Sequence, residues 1–166
     1  MVKKEMNGRM VNMKIKKLTE TAVVPTKGTP DAAGLDLYSD IYKMHSEKKS
    51  PAPDECWIGP GETVMVSTGI SMEIPQGYCG LIYARSGLAT KRGLRPANCV
   101  GVIDSDYRGE IIVALHNDSS EPQMIEHNER IAQMVITPYL SVTIEESIDL
   151  SDTERGSGGF GSTGTK

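Results

Sequence analysis

The sequence predicts an all-β domain of the sandwich or jelly-roll class. Three observations carry that reading. Short runs alternate between polar and apolar residues, 17 glycines and 9 prolines punctuate them, and no stretch sustains a long amphipathic helical period. Residues 1–12, basic with scattered methionines, read as a disordered extension, and ordered alternation starts at Met13 in "MKIKKL". "ETVMVST" sets Thr63, Met65 and Ser67 on one face of a strand and Val64, Val66 and Thr68 on the other. "GISMEIP" alternates through Ile70, Met72 and Ile74, and "SGLATKRG" suits a short turn or helix. "GEIIVALHN" and "RIAQMVITPYL" are more continuously apolar, as central strands buried on both faces would be. Polar, proline-interrupted Lys43–Trp57 reads as a surface loop. The β domain is expected over residues 13–146, with residues 147–166 as a mobile arm.

Composition narrows the function. A chain of 166 residues is the size of one domain and needs no staple to form a core. Cys56, Cys79 and Cys99 are odd in number and never at zinc-ligand spacing, which argues against a disulfide framework or a structural metal. His45, His116 and His127 are scattered too, so any metal should be a hard, oxygen-bound ion. A net charge of −4 argues against nonspecific nucleic-acid binding. With no apolar run of membrane length and no signal peptide, a soluble intracellular protein is expected, cytoplasmic by default.

The end of the chain, "RGSGGFGSTGTK", has glycines near the spacing of phosphate-holding motifs. Neither motif has its context, because no strand-to-helix unit follows and the chain stops at Lys166. Phosphate held here would be held by a strap closing over a site built elsewhere.

Four internal segments supply candidates. In "GVIDSDYRGE", Asp104 and Asp106 suit a solvated hairpin turn, or Asp104 sits partly buried at a strand end and deprotonates a water; Tyr107 offers a flat face for a sugar or base. In "ARSGL", Arg85 and Ser86 offer a fixed cation and a hydroxyl, and Gly87 permits close backbone approach, a set suited to phosphate oxygen. A surface arginine in a turn is the plainer reading. Gln133 in "ERIAQMV" and Asp36 in "AAGLDLYS" sit among apolar neighbours, where an amide needs hydrogen-bond partners and an acid needs a counter-charge or a metal shell.

The order AGLDLYS, RSGLA, GVIDSDYRG, ERIAQMV, RGSGGFGSTG resembles the five motifs of the trimeric deoxyuridine triphosphate nucleotidohydrolases, the dUTPases, over roughly Met13 to Gly164. The resemblance implies a jelly-roll-like β-sandwich or barrel subunit in a homotrimer with shared active sites. It implies hydrolysis of dUTP to dUMP and pyrophosphate, which limits uracil in DNA and supplies dUMP for dTMP synthesis. By the same resemblance Asp104 activates water, Asn98 and backbone near Gly101 pair with uracil, and Tyr107 stacks on the deoxyribose. Arg85, Ser86, Gly87 and Gln133 match contacts to phosphate and water from a second subunit. Asp36 matches an acid that holds Mg²⁺ through water. In the arm, Arg155 matches a γ-phosphate contact, Phe160 a cover for uracil, and Gly161, Ser162 and Thr163 the strap. Ala84 departs from the family's frequent proline, and the 43–57 loop is longer than typical; Asp106 and Arg108 are assigned structural or interface roles. Two other readings are a dCTP deaminase of the same fold, which typically shows Arg-Ser-Ser where Arg85, Ser86 and Gly87 stand, and a catalytically idle regulatory homologue.

Overall fold

The computed structural model describes residues 11–48, 55–98 and 100–159, without the side chains of 45–48. Among the described residues, eleven strands and two short helices follow in order: β1 (Lys14–Lys17), β2 (Thr26–Lys27), β3 (Leu35–Tyr38), α1 (Ile41–Lys48), β4 (Glu55–Ile58), β5 (Thr63–Glu73), β6 (Tyr78–Tyr83), α2 (Ser86–Arg92), β7 (Leu94–Pro96), β8 (Gly101–Ile103), β9 (Glu110–Asn117), β10 (Gln123–Glu126) and β11 (Arg130–Pro138).

The strands form a four-stranded sheet in the order β1-β5-β9-β7, a five-stranded sheet β2-β3-β11-β6-β8, and the ribbon β10-β4. Every ladder is antiparallel. Between the two large sheets lies one apolar core. Val66, Ile70 and Met72 of β5 and Ile111, Val113 and Leu115 of β9 pack there with Leu37, Ile82, Ile131 and Met134 from the other sheet. This is the all-β sandwich that the alternating runs predict.

Three expectations are corrected. The segment Lys43–Trp57 is not simply a loop: α1 occupies its start and β4 its end. Asp40 caps α1, its Oδ1 accepting the Lys43 amide at 3.2 Å, and Ile41 and Met44 bury one helix face. In β4, Cys56 and Ile58 point inward while Glu55 and Trp57 point out. Within the subunit, β9 is buried on one face only: Ile111, Val113, Leu115 and Asn117 are inside, while Ile112 is 40% exposed. No second layer of the same chain covers that outer face among the described residues. Strands also end earlier than expected, at Pro138.

The long β5–β9 ladder contains a bulge. Its register shifts between Ser67 and Ser71, so β5 carries two more residues there than its partner. Gly69, at φ +66°, makes the turn of the chain. Side chains and neighbouring segments satisfy the backbone groups released by the shift. The Gly69 amide donates to Glu110 Oε1 at 2.8 Å, Thr68 Oγ1 donates to the Ile111 carbonyl at 2.5 Å, and the Leu18 and Asp40 amides donate to the Gly69 and Ser67 carbonyls, each at 2.7 Å.

Candidate active site

Three sequence-distant segments meet at one end of the five-stranded sheet. Strand β3 sends Leu37 into the core, so Asp36 lies on the other face, nearly buried. Arg85, at the N-terminal boundary of α2, donates from Nε to Asp36 Oδ1 at 2.9 Å, and Arg130, the first residue of β11, donates from Nη1 to Oδ2 at 3.3 Å. Arg85 Nη1 also donates to the Arg130 carbonyl at 3.3 Å. The buried acid thus has the counter-charge its position demands, and the two guanidiniums are aimed by it.

Gln133 stands opposite Asp36 on one side and Tyr83 on the other. Its Nε2 donates to the Ala84 carbonyl at 2.9 Å, and its Oε1 lies 2.6 Å from where a side chain on Gly34 would begin. Gln133 therefore ties the residue before Arg85 to the sheet, the plainer of its two expected roles. Ser86 and Gly87 are exposed at the start of α2, and the space over Gly87 is open. Arg130 escaped the sequence reading. Its one signal, a charge starting an apolar strand, looks like ordinary surface until the β3–β11 register puts it beside Asp36.

The second group is the hairpin between β8 and β9. Asp104 follows the last residue of β8, and its carbonyl accepts the Tyr107 amide at 3.2 Å in a tight turn. Arg108 Nη1 holds that turn, donating to the Ser105 carbonyl at 2.7 Å and the Tyr107 carbonyl at 2.9 Å, which is a structural role. Tyr107 folds back over Gly109, where any side chain would strike its ring, and its hydroxyl donates to the Glu110 carbonyl at 3.0 Å. Tyr107 as a whole stays 43% exposed. Of the two arrangements open to Asp104, the structure has the solvated turn: the residue is exposed within the subunit and opens onto a cleft of about 640 Å³ walled also by Gln76, Asp106, Arg108 and Tyr139. The short turn lifts it clear of the sheet.

Asn98 lies at the other end of β8, its Nδ2 close over Gly101, beside an apolar cavity of about 420 Å³ lined by Ile82, Tyr83, Ala84, Pro96 and Val100. The β6–β8 register pairs Gly80 with Ile103 and Ile82 with Gly101. One step further, Asp104 faces Cys79, six residues before Arg85. Counted along the strand at about 3.3 Å per residue, the backbones of Asp104 and Arg85 in one chain lie roughly 20 Å apart. Arg155 is exposed and donates from Nε to the Gly158 carbonyl at 2.9 Å. Phe160, Gly161, Ser162 and Thr163 lie outside the described residues.

The sheet order and the motif-bearing strand ends define an antiparallel jelly-roll-like protein with arginines gathered at one sheet end and an Asp–Tyr hairpin at the other. A sequence profile of the dUTPase family matches residues 20–164, most of the chain. The chain belongs to the dUTPase family. It is 49% identical over 152 residues to the deoxyuridine 5'-triphosphate nucleotidohydrolase of Hydrogenobaculum sp., covering 92% of this chain and 97% of that protein. The enzyme of the same name from Escherichia phage T5 is 45% identical over 151 residues, 90% of this chain and 97% of that one. A mutant Staphylococcus bacteriophage 80alpha dUTPase solved with dUpNHpp aligns with a TM-score of 0.79 at 26% identity, over 94% of this chain and 100% of that one. The dUTPase of phage phi11 of S. aureus shares the fold, with a TM-score of 0.71 at 20% identity over 86% of this chain and 100% of that one, and was solved with a structural Mg(II) ion.

Proposed function

We propose that the protein hydrolyses dUTP to dUMP and pyrophosphate, as the names of its relatives state for them. The reaction limits uracil incorporation into DNA and provides dUMP for dTMP synthesis. Asp104 takes a proton from water, the water oxygen bonds to the α-phosphorus, and the bond to the bridging oxygen breaks as pyrophosphate leaves. An exposed carboxylate at a strand end has the access to water that this step needs. Tyr107 stacks on the deoxyribose, and Asn98 with the backbone near Gly101 reads uracil. Arg85, Ser86, Gly87 and Gln133 hold phosphate and order water, and Arg155 and the residues after it close over them.

The roughly 20 Å between the backbones of Asp104 and Arg85 supports a site shared between subunits of a homotrimer, since one chain alone keeps the two groups at opposite strand ends. Ile112, on the outer face of its sheet, is free to meet another copy.

Asp36 fits the outer-sphere role toward magnesium: each of its oxygens accepts one arginine hydrogen bond and keeps a lone pair for a water. Among the described residues no group of three or more His, Cys, Asp or Glu gathers to bind a cation directly. Bound with the substrate, magnesium supplies charge neutralisation to the triphosphate.

Pyrophosphate release from dUTP beside dCTP, dTTP and UTP, with and without magnesium, tests the reading. Turnover should be selective for dUTP, and Asp104→Asn should lower it ~10²–10⁴-fold while leaving the fold and dUTP binding intact. Ammonia release from dCTP, or near-normal turnover in Asp104→Asn, would remove the assignment.

A further inference from the structure

Helix α1 reaches the hairpin through an ion pair. Lys43 Nζ lies 2.5 Å from Glu110 Oε2, with the two side chains only 16% and 10% exposed. The other oxygen of Glu110 accepts the Gly69 amide, so the carboxylate fills the β5 bulge. The backbone carbonyl of Glu110 receives the Tyr107 hydroxyl. A single residue therefore links α1, the bulge and the exposed ring of the hairpin.

This carboxylate costs free energy to hold away from water unless it is paired and hydrogen-bonded, and Lys43 and the Gly69 amide satisfy that demand. Lys43 is itself fixed, because its amide is the one that Asp40 caps, and Asp40 is fully buried with Thr19 and Thr21 donating to it. Nothing in the reaction requires Lys43 or Glu110 to touch substrate. They meet at the start of β9, where the Glu110 carbonyl accepts the Tyr107 hydroxyl.

We infer that the Lys43–Glu110 pair is a positioning element that sets the Tyr107 ring for sugar discrimination, giving helix α1 a part in selectivity. This rests on the reading of Tyr107 as the sugar-stacking residue. Lys43→Met leaves the Glu110 carboxylate without its ammonium partner, while Lys43→Arg keeps a cation within reach.

Two readouts test it: the ratio of kcat/KM for dUTP to that for UTP, and hydrogen exchange of the Tyr107 amide, which closes the turn onto Asp104. Lys43→Met should narrow the ratio about tenfold and speed the exchange by a similar factor, and Lys43→Arg should restore both. In a Tyr107→Ala background the same change should narrow the ratio no further. Unchanged ratio and exchange in a cooperatively folded Lys43→Met protein overturn the inference, as does an equal loss of ratio in the Tyr107→Ala background. Should Lys43→Met not fold, Glu110→Gln, which keeps an acceptor for Gly69, takes its place: the same narrowing and faster exchange are expected, and no change in either overturns the inference. If exchange rises but Tyr107→Ala itself leaves the ratio untouched, the positioning stands and the sugar-stacking reading is the one that fails.

Discussion

Asp36 is the residue on which the arginine-bearing end of the sheet turns. Its two oxygens hold Arg85 and Arg130 at 2.9 and 3.3 Å, and without it two guanidiniums would face each other with no anion between them. Asp36→Ala should therefore lower kcat/KM for dUTP about tenfold or more, through misplacement of Arg85, with little change in overall fold. Steady-state kinetics beside a circular-dichroism spectrum check this, and an unchanged kcat/KM would mean that Arg85 is held well enough by the Arg130 carbonyl alone. Part of this site is legible without a structure. An acid between two leucines and an amide within an apolar strand conflict with their surroundings, so each announces a partner. Arg130 produces no such conflict, since a charge at a strand start is at home in solvent. Asp104 is ambiguous in sequence: the apolar "GVI" before it is compatible with burial and the Asp and Gly after it with a solvated turn, and the structure has the turn.

At the scale of elements, alternation identifies the strands because a half-buried strand imposes a period of two, and Val66, Ile70 and Met72 all reach the core as that period requires. It does not reveal the bulge. A register shift depends on what lies across the ladder, and Gly69 alone in "STGIS" reads as an ordinary weak point. Helix α1 is hidden for another reason: eight residues give barely two turns, so its apolar face reduces to Ile41 and Met44 among charges. The Asp40 cap is its available signal. The bulge also yields a test. A Cβ on Gly69 would collide with Asp40 Oδ2, Ala22 and Thr19, and φ +66° is unfavourable for any other residue. Gly69→Ala should destabilise the subunit by about 2 kcal/mol or more, read as a lower urea midpoint. A midpoint equal to that of the parent protein would show that the Asp40 cluster can move aside.

For the whole molecule, the decisive segment is the arm after β11. From Tyr139 to Glu154, sixteen residues contain no strand, and Leu140, Val142, Ile144, Ile148 and Leu150 are each at least 76% exposed. Apolar side chains spaced at alternate positions and left in water ask for a surface to cover them, and in the proposed homotrimer a second copy would provide it. Extended at about 3.3 Å per residue, the arm reaches roughly 50 Å, far enough to leave its own subunit. If Arg155 and Phe160 serve a neighbour's site, two inert proteins should rescue each other. Asp104→Asn retains an intact arm; a chain ending at Glu154 retains Asp104. Co-refolded into mixed trimers, some sites would unite Asp104 from a shortened chain with Arg155 and Phe160 from a full-length one. Hydrolysis of dUTP by the co-refolded mixture should then clearly exceed that of the same two proteins mixed without refolding. Each parent protein alone should remain nearly inactive. Size-exclusion chromatography with differently tagged chains would establish that mixed trimers form. Activity held at the parental level in such trimers would mean that each arm closes over its own Asp104, and the shared-arm arrangement would be wrong.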